Sequence, residues 1–170
     1  MSIRLTQRHE GTKYSSIQAM NKQAQNKSLR DFLPSCDPSK SRPASIPDEL
    51  EAIAKDVVDA SMKLHMELGP GLLESVYTVL LEKKLTERGY HVEREKPIPL
   101  VFEGVRFEMG FRADLVINGC FIVELKSVEK LLPVHAKQLL TYLKFTNTRL
   151  GLLINFGEEL LKNGIKRVAN

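Results

Sequence analysis

The sequence predicts an α/β protein in which helices flank a mixed β-sheet. Three observations carry this expectation. Two segments with helical apolar spacing follow one another between residues 46 and 88. Two alternating segments, Phe111–Ile117 and Phe121–Ser127, read as strands joined by a tight turn. Finally, Leu150–Asn155 is a continuous apolar run, the mark of a strand buried on both faces.

Composition sets the outer bounds. A chain of 170 residues with a hydrophobic fraction of 42% suits one domain with extras and a real core. Its net charge of +4 is unevenly placed. Residues 1–45 hold eight Lys/Arg against three Asp/Glu, leaving seventeen against eighteen of the totals of 25 and 21 for residues 46–170. Residues 1–45 are therefore expected to be a basic, mostly disordered tail, polar and without sustained periodicity, and residues 46–170 the folded domain. Within the tail, Leu29, Phe32 and Leu33 fall at helical spacing and suggest either a transient turn or a short docking turn. The tail's charge suits non-specific contact with nucleic acid. Cys36 and Cys120 are far apart with no metal-binding or disulfide spacing, so a reducing, cytoplasmic setting is expected. No apolar run approaches a membrane span, and the first twenty residues lack a signal-peptide core.

The first helix is expected to begin near Ser45-Ile46-Pro47-Asp48-Glu49, where Ser45 or Ile46 precedes a proline suited to the first helical position and acids suited to a helix N-terminus, and to run to about Leu68. Leu50, Ile53, Ala54, Val57, Ser61, Leu64 and Leu68 form its apolar stripe, and His65 at the edge reads as structural. Gly69-Pro70-Gly71 breaks it. A second helix follows from about Leu72 to Arg88, closed by Gly89, with Leu72, Leu73, Val76, Tyr77, Leu80, Leu81 and Leu85 inward. Glu74 in its first turn has two readings: ordinary helix-end electrostatics, or a side chain turned into a site. Short strands are expected at about 90–94, 98–102 and 105–109, with Glu103-Gly104 a hairpin turn and Pro97 and Pro99 marking an edge. After the central hairpin, a helix from about Pro133 to Thr146 puts Val134, Leu139, Leu140 and Leu143 on the core, with Gln138 and Tyr142 adjacent on another face. The buried strand 150–155 and a last strand near 165–168 complete the chain.

The central hairpin has two competing registers. Asn118-Gly119 as a two-residue loop would pair Ile117 with Cys120 and place the apolar stripes on opposite sides. A three-residue loop, Ile117-Asn118-Gly119, pairs Val116 with Cys120 and keeps the stripes together. The second register is therefore expected. It sets Arg112 opposite Glu124 and Asp114 opposite Ile122, with Asp114 and Glu124 diagonal neighbours about 7–8 Å apart at the backbone.

Such carboxylates can share a cation. Asp114, Glu124, the Leu125 carbonyl, Glu74 and waters offer hard oxygens for an octahedral Mg²⁺, or for Mn²⁺. A cation held there lowers the pKa of a bound water and stabilises charge at phosphorus. Lys126, two residues past Glu124 on the same face, can orient the attacking water or neutralise developing charge. Gln138 can hold that water or a phosphate oxygen, and Tyr142 can donate to phosphate or support Gln138. Arg112 reads as a cross-strand partner of Glu124. On its own, Asp followed ten residues later by Glu-x-Lys also fits a solvated stripe on an antiparallel sheet. The apolar neighbouring strands, the clustered charges and the Gln138/Tyr142 pair weigh against that.

Gly71-Leu72-Leu73-Glu74-Ser75-Val76-Tyr77 resembles the defining motif of the GxxExxY protein family, within the PD-(D/E)XK nuclease superfamily. Phe111-Arg112-Ala113-Asp114 and Val123-Glu124-Leu125-Lys126 resemble its other blocks. The resemblance covers roughly residues 46–170. It implies a restriction-endonuclease-like αβββαβ core, with Asp114, Glu124 and Lys126 matching the metal and catalytic triad and Glu74 the acid on the preceding helix. Gln138 and Tyr142 resemble the QxxxY motif of the recombination nucleases. Ala113 stands where the superfamily pattern has Pro.

The expected activity is that of a Mg²⁺-dependent nuclease hydrolysing nucleic-acid phosphodiesters, DNA first, through a metal-activated water. The alternative is a non-catalytic nucleic-acid-binding or assembly module on the same fold, favoured by the near-neutral charge of 46–170. A homodimer or a partner protein would supply the missing positive charge.

Overall fold

A computed structural model describes residues 45–170. The tail and the turn at Leu29, Phe32 and Leu33 fall on residues 1–44 and lie outside the described residues. The elements are α1 (Asp48–Leu68), α2 (Glu74–Thr86), β1 (Val92–Phe102), β2 (Val105–Ile117), β3 (Phe121–Lys126), α3 (Pro133–Thr146), β4 (Leu150–Asn155), α4 (Leu161–Gly164) and β5 (Ile165–Ala169). One sheet carries the strands in the order β1-β2-β3-β4-β5. Only β3 and β4 are parallel, joined by the crossover helix α3; every other pair is antiparallel. This is the expected mixed sheet with flanking helices, in the restriction-endonuclease-like αβββαβ order.

Two apolar layers hold the helices to the sheet. On one side Ile53, Val57 and Leu64 of α1 and Tyr77, Leu81 and Leu85 of α2 pack on Leu115, Phe121, Val123, Leu125 and Ile154. On the other, Leu139, Tyr142 and Leu143 of α3 cover Val116, Ile122 and Leu153. The alternation along β3 thus does what its period of two requires: Phe121, Val123 and Leu125 face α1 and α2, and Ile122 faces α3. Every residue of β4 is buried, as its unbroken apolar run implies.

The structure departs from expectation at several points. In α1, Pro47 is the N-cap rather than the first helical residue, and Leu68 is exposed at the helix end. Helix α2 starts two residues late because the Gly69–Leu73 stretch is a loop, with positive φ at Gly69 and Gly71 and Leu73 extended as N-cap. Leu72, Leu73 and Val76 consequently lie outside the core, Leu73 at 74% exposure. At the other end Gly89 does close the helix: its N–H donates to Thr86 O, that of Tyr90 donates to Leu85 O, and φ at Gly89 is 89°.

The predicted short strands are fused into two long ones, β1 and β2, turning at Glu103-Gly104 where both φ are positive. β1 is the sheet edge, which is where Pro97 and Pro99 cost no ladder bond. The central hairpin is displaced by two residues from the expected register. Its loop is Asn118-Gly119-Cys120, and the pairs are Ile117 with Phe121, Val116 with Ile122 and Leu115 with Val123. Asn118 and Gly119, φ 49° and 65°, make the turn, and Cys120 is the extra residue that keeps the apolar stripes on one side. A shift of two preserves the faces but changes the partners, so Arg112 is not opposite Glu124; it pairs with Pro97 of β1 and lies 3.7 Å from Glu95. In α3, Val134 is 57% exposed and takes no part in the core. The single turn α4 has no apolar period of its own to announce it.

Candidate active site

Asp114 and Glu124 lie one residue beyond the last ladder pair of β2 and β3, Leu115 with Val123. Where the ladder stops, the Asp114 side chain takes over: its Oδ2 accepts the Leu125 N–H at 2.8 Å. That bond fixes the carboxylate against β3. Glu124 follows Ile122 on the α3 face of the strand and is 3% exposed. Lys126, next on the same face, donates to Glu124 Oε1 at 2.8 Å and to the Leu125 carbonyl at 2.6 Å. Its ammonium is also 3.9 Å from Asp114 Oδ2 and 3.9 Å from Glu74 Oε1.

The four oxygen donors expected to hold a cation therefore surround one ammonium. Glu74 opens α2, where the macrodipole favours an acid, and its carboxylate also lies 3.9 Å from the Lys126 ammonium. Among the described residues, no three His, Cys, Asp or Glu side chains by themselves form a ready metal cage. The cluster is instead two carboxylates and a backbone carbonyl, with Glu74 at the mouth.

Its electrostatics follow from the count of charges. With all three carboxylates ionised, one ammonium would leave two negative charges uncompensated in a half-buried place. Burial, with repulsion from Asp114 and against the pull of Lys126, pushes the Glu124 carboxyl up to about 7. Burial also raises Asp114, against the Leu125 N–H bond, and raises Glu74. For Lys126, burial acts to lower the pKa but the Glu124 bond and the surrounding carboxylates outweigh it, so the ammonium stays charged.

A divalent cation fits this donor set. Glu124 Oε2 is buried with no hydrogen-bond partner, a costly state for a carboxylate oxygen that a cation would relieve. The donors are all hard oxygens, and two positive charges match the uncompensated pair.

Gln138 and Tyr142, one turn apart on α3, are hydrogen-bonded to each other, the Gln138 amide donating to the Tyr142 hydroxyl. Tyr142 stacks on Phe111 with centroids 3.9 Å apart and planes 6° from parallel. Burial raises the Tyr142 pKa; the Gln138 bond opposes this, and the negative charge of Glu124 adds to it, so its hydroxyl keeps its proton. Tyr142 thus lies within the field of the cluster while its described bond goes to Gln138. His65 is structural, its Nε2 2.8 Å from the Glu158 carbonyl.

Three residues that build the site were not singled out for it by sequence reasoning. The buried Tyr77 hydroxyl donates to Gly69 O at 2.6 Å and accepts from Leu72 N–H at 3.3 Å, strapping the loop that precedes Glu74. Ser127 Oγ donates to Leu72 O at 2.7 Å, tying that loop to the end of β3. Asn155, fully buried at the end of β4, accepts from Val128 N–H and donates to Val128 O, holding the chain just past Lys126. Tyr77 has a signal in the Gly71-x-x-Glu74-x-x-Tyr77 spacing, whose logic is now visible: Gly71 at φ 105° turns the loop, Tyr77 pins it and Glu74 is aimed by it.

A family model described as PD-(D/E)XK nuclease superfamily matches residues 51–168, from the first turn of α1 to β5. No curated protein and no solved structure gives a significant match.

Proposed function

Because the chain belongs to the PD-(D/E)XK nuclease superfamily, we propose that it is a divalent-metal-dependent nuclease acting on DNA at the Glu74, Asp114, Glu124 and Lys126 cluster. The observation that carries this reading is the excess of carboxylate over ammonium around Lys126, with one buried Glu124 oxygen left unpartnered. The membership of 46–170 in the GxxExxY branch is part of the proposal, supported by the joint work of Gly71, Glu74 and Tyr77. So is the role of 1–45 as a basic extension adding non-specific affinity.

Asp114, Glu124, the Leu125 carbonyl and Glu74 would hold Mg²⁺ or Mn²⁺. Such a cation supplies Lewis acidity toward a phosphate oxygen and acidifies water. The chain's own groups do the rest. Lys126, charged at neutral pH, donates to the phosphate oxygens as negative charge builds on them. It cannot act as the base while so held. The Tyr142 hydroxyl, still protonated, donates to a phosphate oxygen, and Gln138, fixed by Tyr142, turns its carbonyl oxygen to align the attacking water. The Leu125 N–H keeps Asp114 from swinging away.

The test is hydrolysis of DNA and RNA of varied structure with Mg²⁺ or Mn²⁺, beside Glu124→Ala and Lys126→Ala. Metal-dependent cleavage abolished by both variants is expected; cleavage indifferent to them would remove this cluster as its source. A second reading, a non-catalytic binding or assembly module, is favoured by the net charge of −1 over residues 46–170, from seventeen Lys/Arg and eighteen Asp/Glu. Calorimetry separates the two, since a module with no catalytic role has no need to bind the metal.

A further inference from the structure

Beside the carboxylate cluster, the loop through Leu72 and the turn through Val128 face each other across a cavity of about 570 Å³, lined also by Glu74, Ser127 and Glu129. It is an open cleft rather than an enclosed chamber, with room for a flat ring laid against its walls. Resting on the nuclease reading above, we propose that this cavity receives an unpaired base next to the scissile phosphate, so that the substrate is single-stranded or frayed DNA.

The walls point to a base rather than a phosphate. Leu72, Leu73 and Val128 stay 38%, 74% and 37% exposed at the mouth of a polar site, apolar surface of the kind on which a flat ring packs. The charged groups in the lining itself are the carboxylates of Glu74 and Glu129, and the nearby Lys126 ammonium stands on the cluster side of Glu74 rather than in the cavity wall. The two carboxylates repel a phosphate and accept from the exocyclic amines of adenine, cytosine or guanine. Placement agrees. Glu74 belongs to both places, lining the cavity and standing 3.9 Å from Lys126, and Ser127 adjoins Lys126 in the chain. The base and the phosphate of one nucleotide therefore meet the cavity and the ammonium together.

The cavity is also preformed. Tyr77 and Ser127 strap the Leu72 wall, and Asn155 holds the Val128 wall. A base paired and stacked in a duplex offers only its edges in the grooves, so packing its face on these walls requires an unpaired nucleotide.

Anisotropy of labelled oligonucleotides on the full-length chain, with Ca²⁺ replacing Mg²⁺, tests this. Single strands should bind about tenfold or more tighter than blunt duplex, and one position in a walked abasic series should weaken binding by a like factor. Leu73→Asp, which places a good N-cap residue at the start of α2 and so should fold, should erase both effects, while Leu73→Met keeps them. Binding with a flat abasic profile, or preference for duplex, overturns the proposal. A second arm needs no turnover: adenosine and cytidine, but not inorganic phosphate, should shift the methyl resonances of Leu72, Leu73 and Val128. Silence toward both nucleosides overturns the base pocket even if the protein cleaves DNA, whereas loss of the nuclease reading appears separately as cleavage absent or insensitive to Glu124→Ala.

Discussion

Lys126 and Glu124, two residues apart on one face of β3, are joined at 2.8 Å through Glu124 Oε1, while the other oxygen of the same carboxylate is buried without a partner. An ordinary structural ion pair satisfies both oxygens, since leaving one bare in low dielectric costs free energy. Here the bare oxygen stands among two further carboxylates. The pair is thus one side of a site arranged for more positive charge than Lys126 supplies.

Metal affinity should depend on pH through Glu124. Its carboxyl, pushed up to about 7 chiefly by burial, must lose its proton before both oxygens can serve a cation. Mn²⁺ affinity is expected to fall about tenfold for each unit below pH 7 and to level off above it. Calorimetry across that range, in buffers of differing ionisation heat, should show about half a proton released per ion bound at pH 7, rising toward about one by pH 6. A flat profile would place binding elsewhere.

Without metal, the same shift sets a stability cost whose sign is fixed. A carboxyl whose pKa is raised on folding contributes stability that is fully present below its unfolded value near 4.5 and is lost as pH rises through about 7. The loss by pH 8 is about 3 kcal/mol. Glu124→Gln should remove it, so the variant gains on the parent protein between pH 4 and pH 8 by an amount of that order. Urea unfolding in chelator at the two pH values checks this; a difference that does not change with pH would contradict it.

How far this was legible from sequence depends on the range of each contact. Glu124 and Lys126 share a face because a strand has a period of two, which any register preserves. Asp114 joined them because the apolar stripes demanded parity between the strands. Parity does not decide partners, however, and the turn through Asn118 and Gly119 closed two residues away from the expected pairs, taking Arg112 to Glu95 instead of Glu124. Leu72 and Leu73 looked like the start of an apolar stripe, yet they form a loop wall, since periodicity cannot tell a helix turn from a strapped loop. The strap itself, Ser127 to Leu72, spans 55 residues and leaves no local trace.

Removing the ammonium should separate binding from chemistry. Lys126→Met deletes the group that donates to Glu124 and the Leu125 carbonyl and leaves the carboxylates without internal compensation. Mn²⁺ should then bind at least as tightly as before, while cleavage falls by roughly 10²–10³, the usual loss when one donor to a developing oxyanion is removed. Weakened metal binding alongside the lost activity would instead make Lys126 a support for the carboxylates.

Tyr77→Phe isolates the loop strap. The ring is fully buried and stacks on Phe156 at 4.2 Å, so the substitution keeps the packing and deletes only the hydroxyl that joins Gly69 O and Leu72 N–H. Leu72 and Gly69 reach solvent, so their backbone groups can turn to water and the lost bonds should cost about 0.5–1.5 kcal/mol of stability. Because Glu74 is aimed by this loop and lies at the edge of the cluster rather than inside it, metal affinity should fall only a few-fold. Cleavage should fall further, since Glu74 and the Leu72 wall position the substrate together. Denaturation, calorimetry and cleavage on the one variant measure the three effects. Loss of stability with activity untouched would show that the loop carries the fold and takes no part in the reaction.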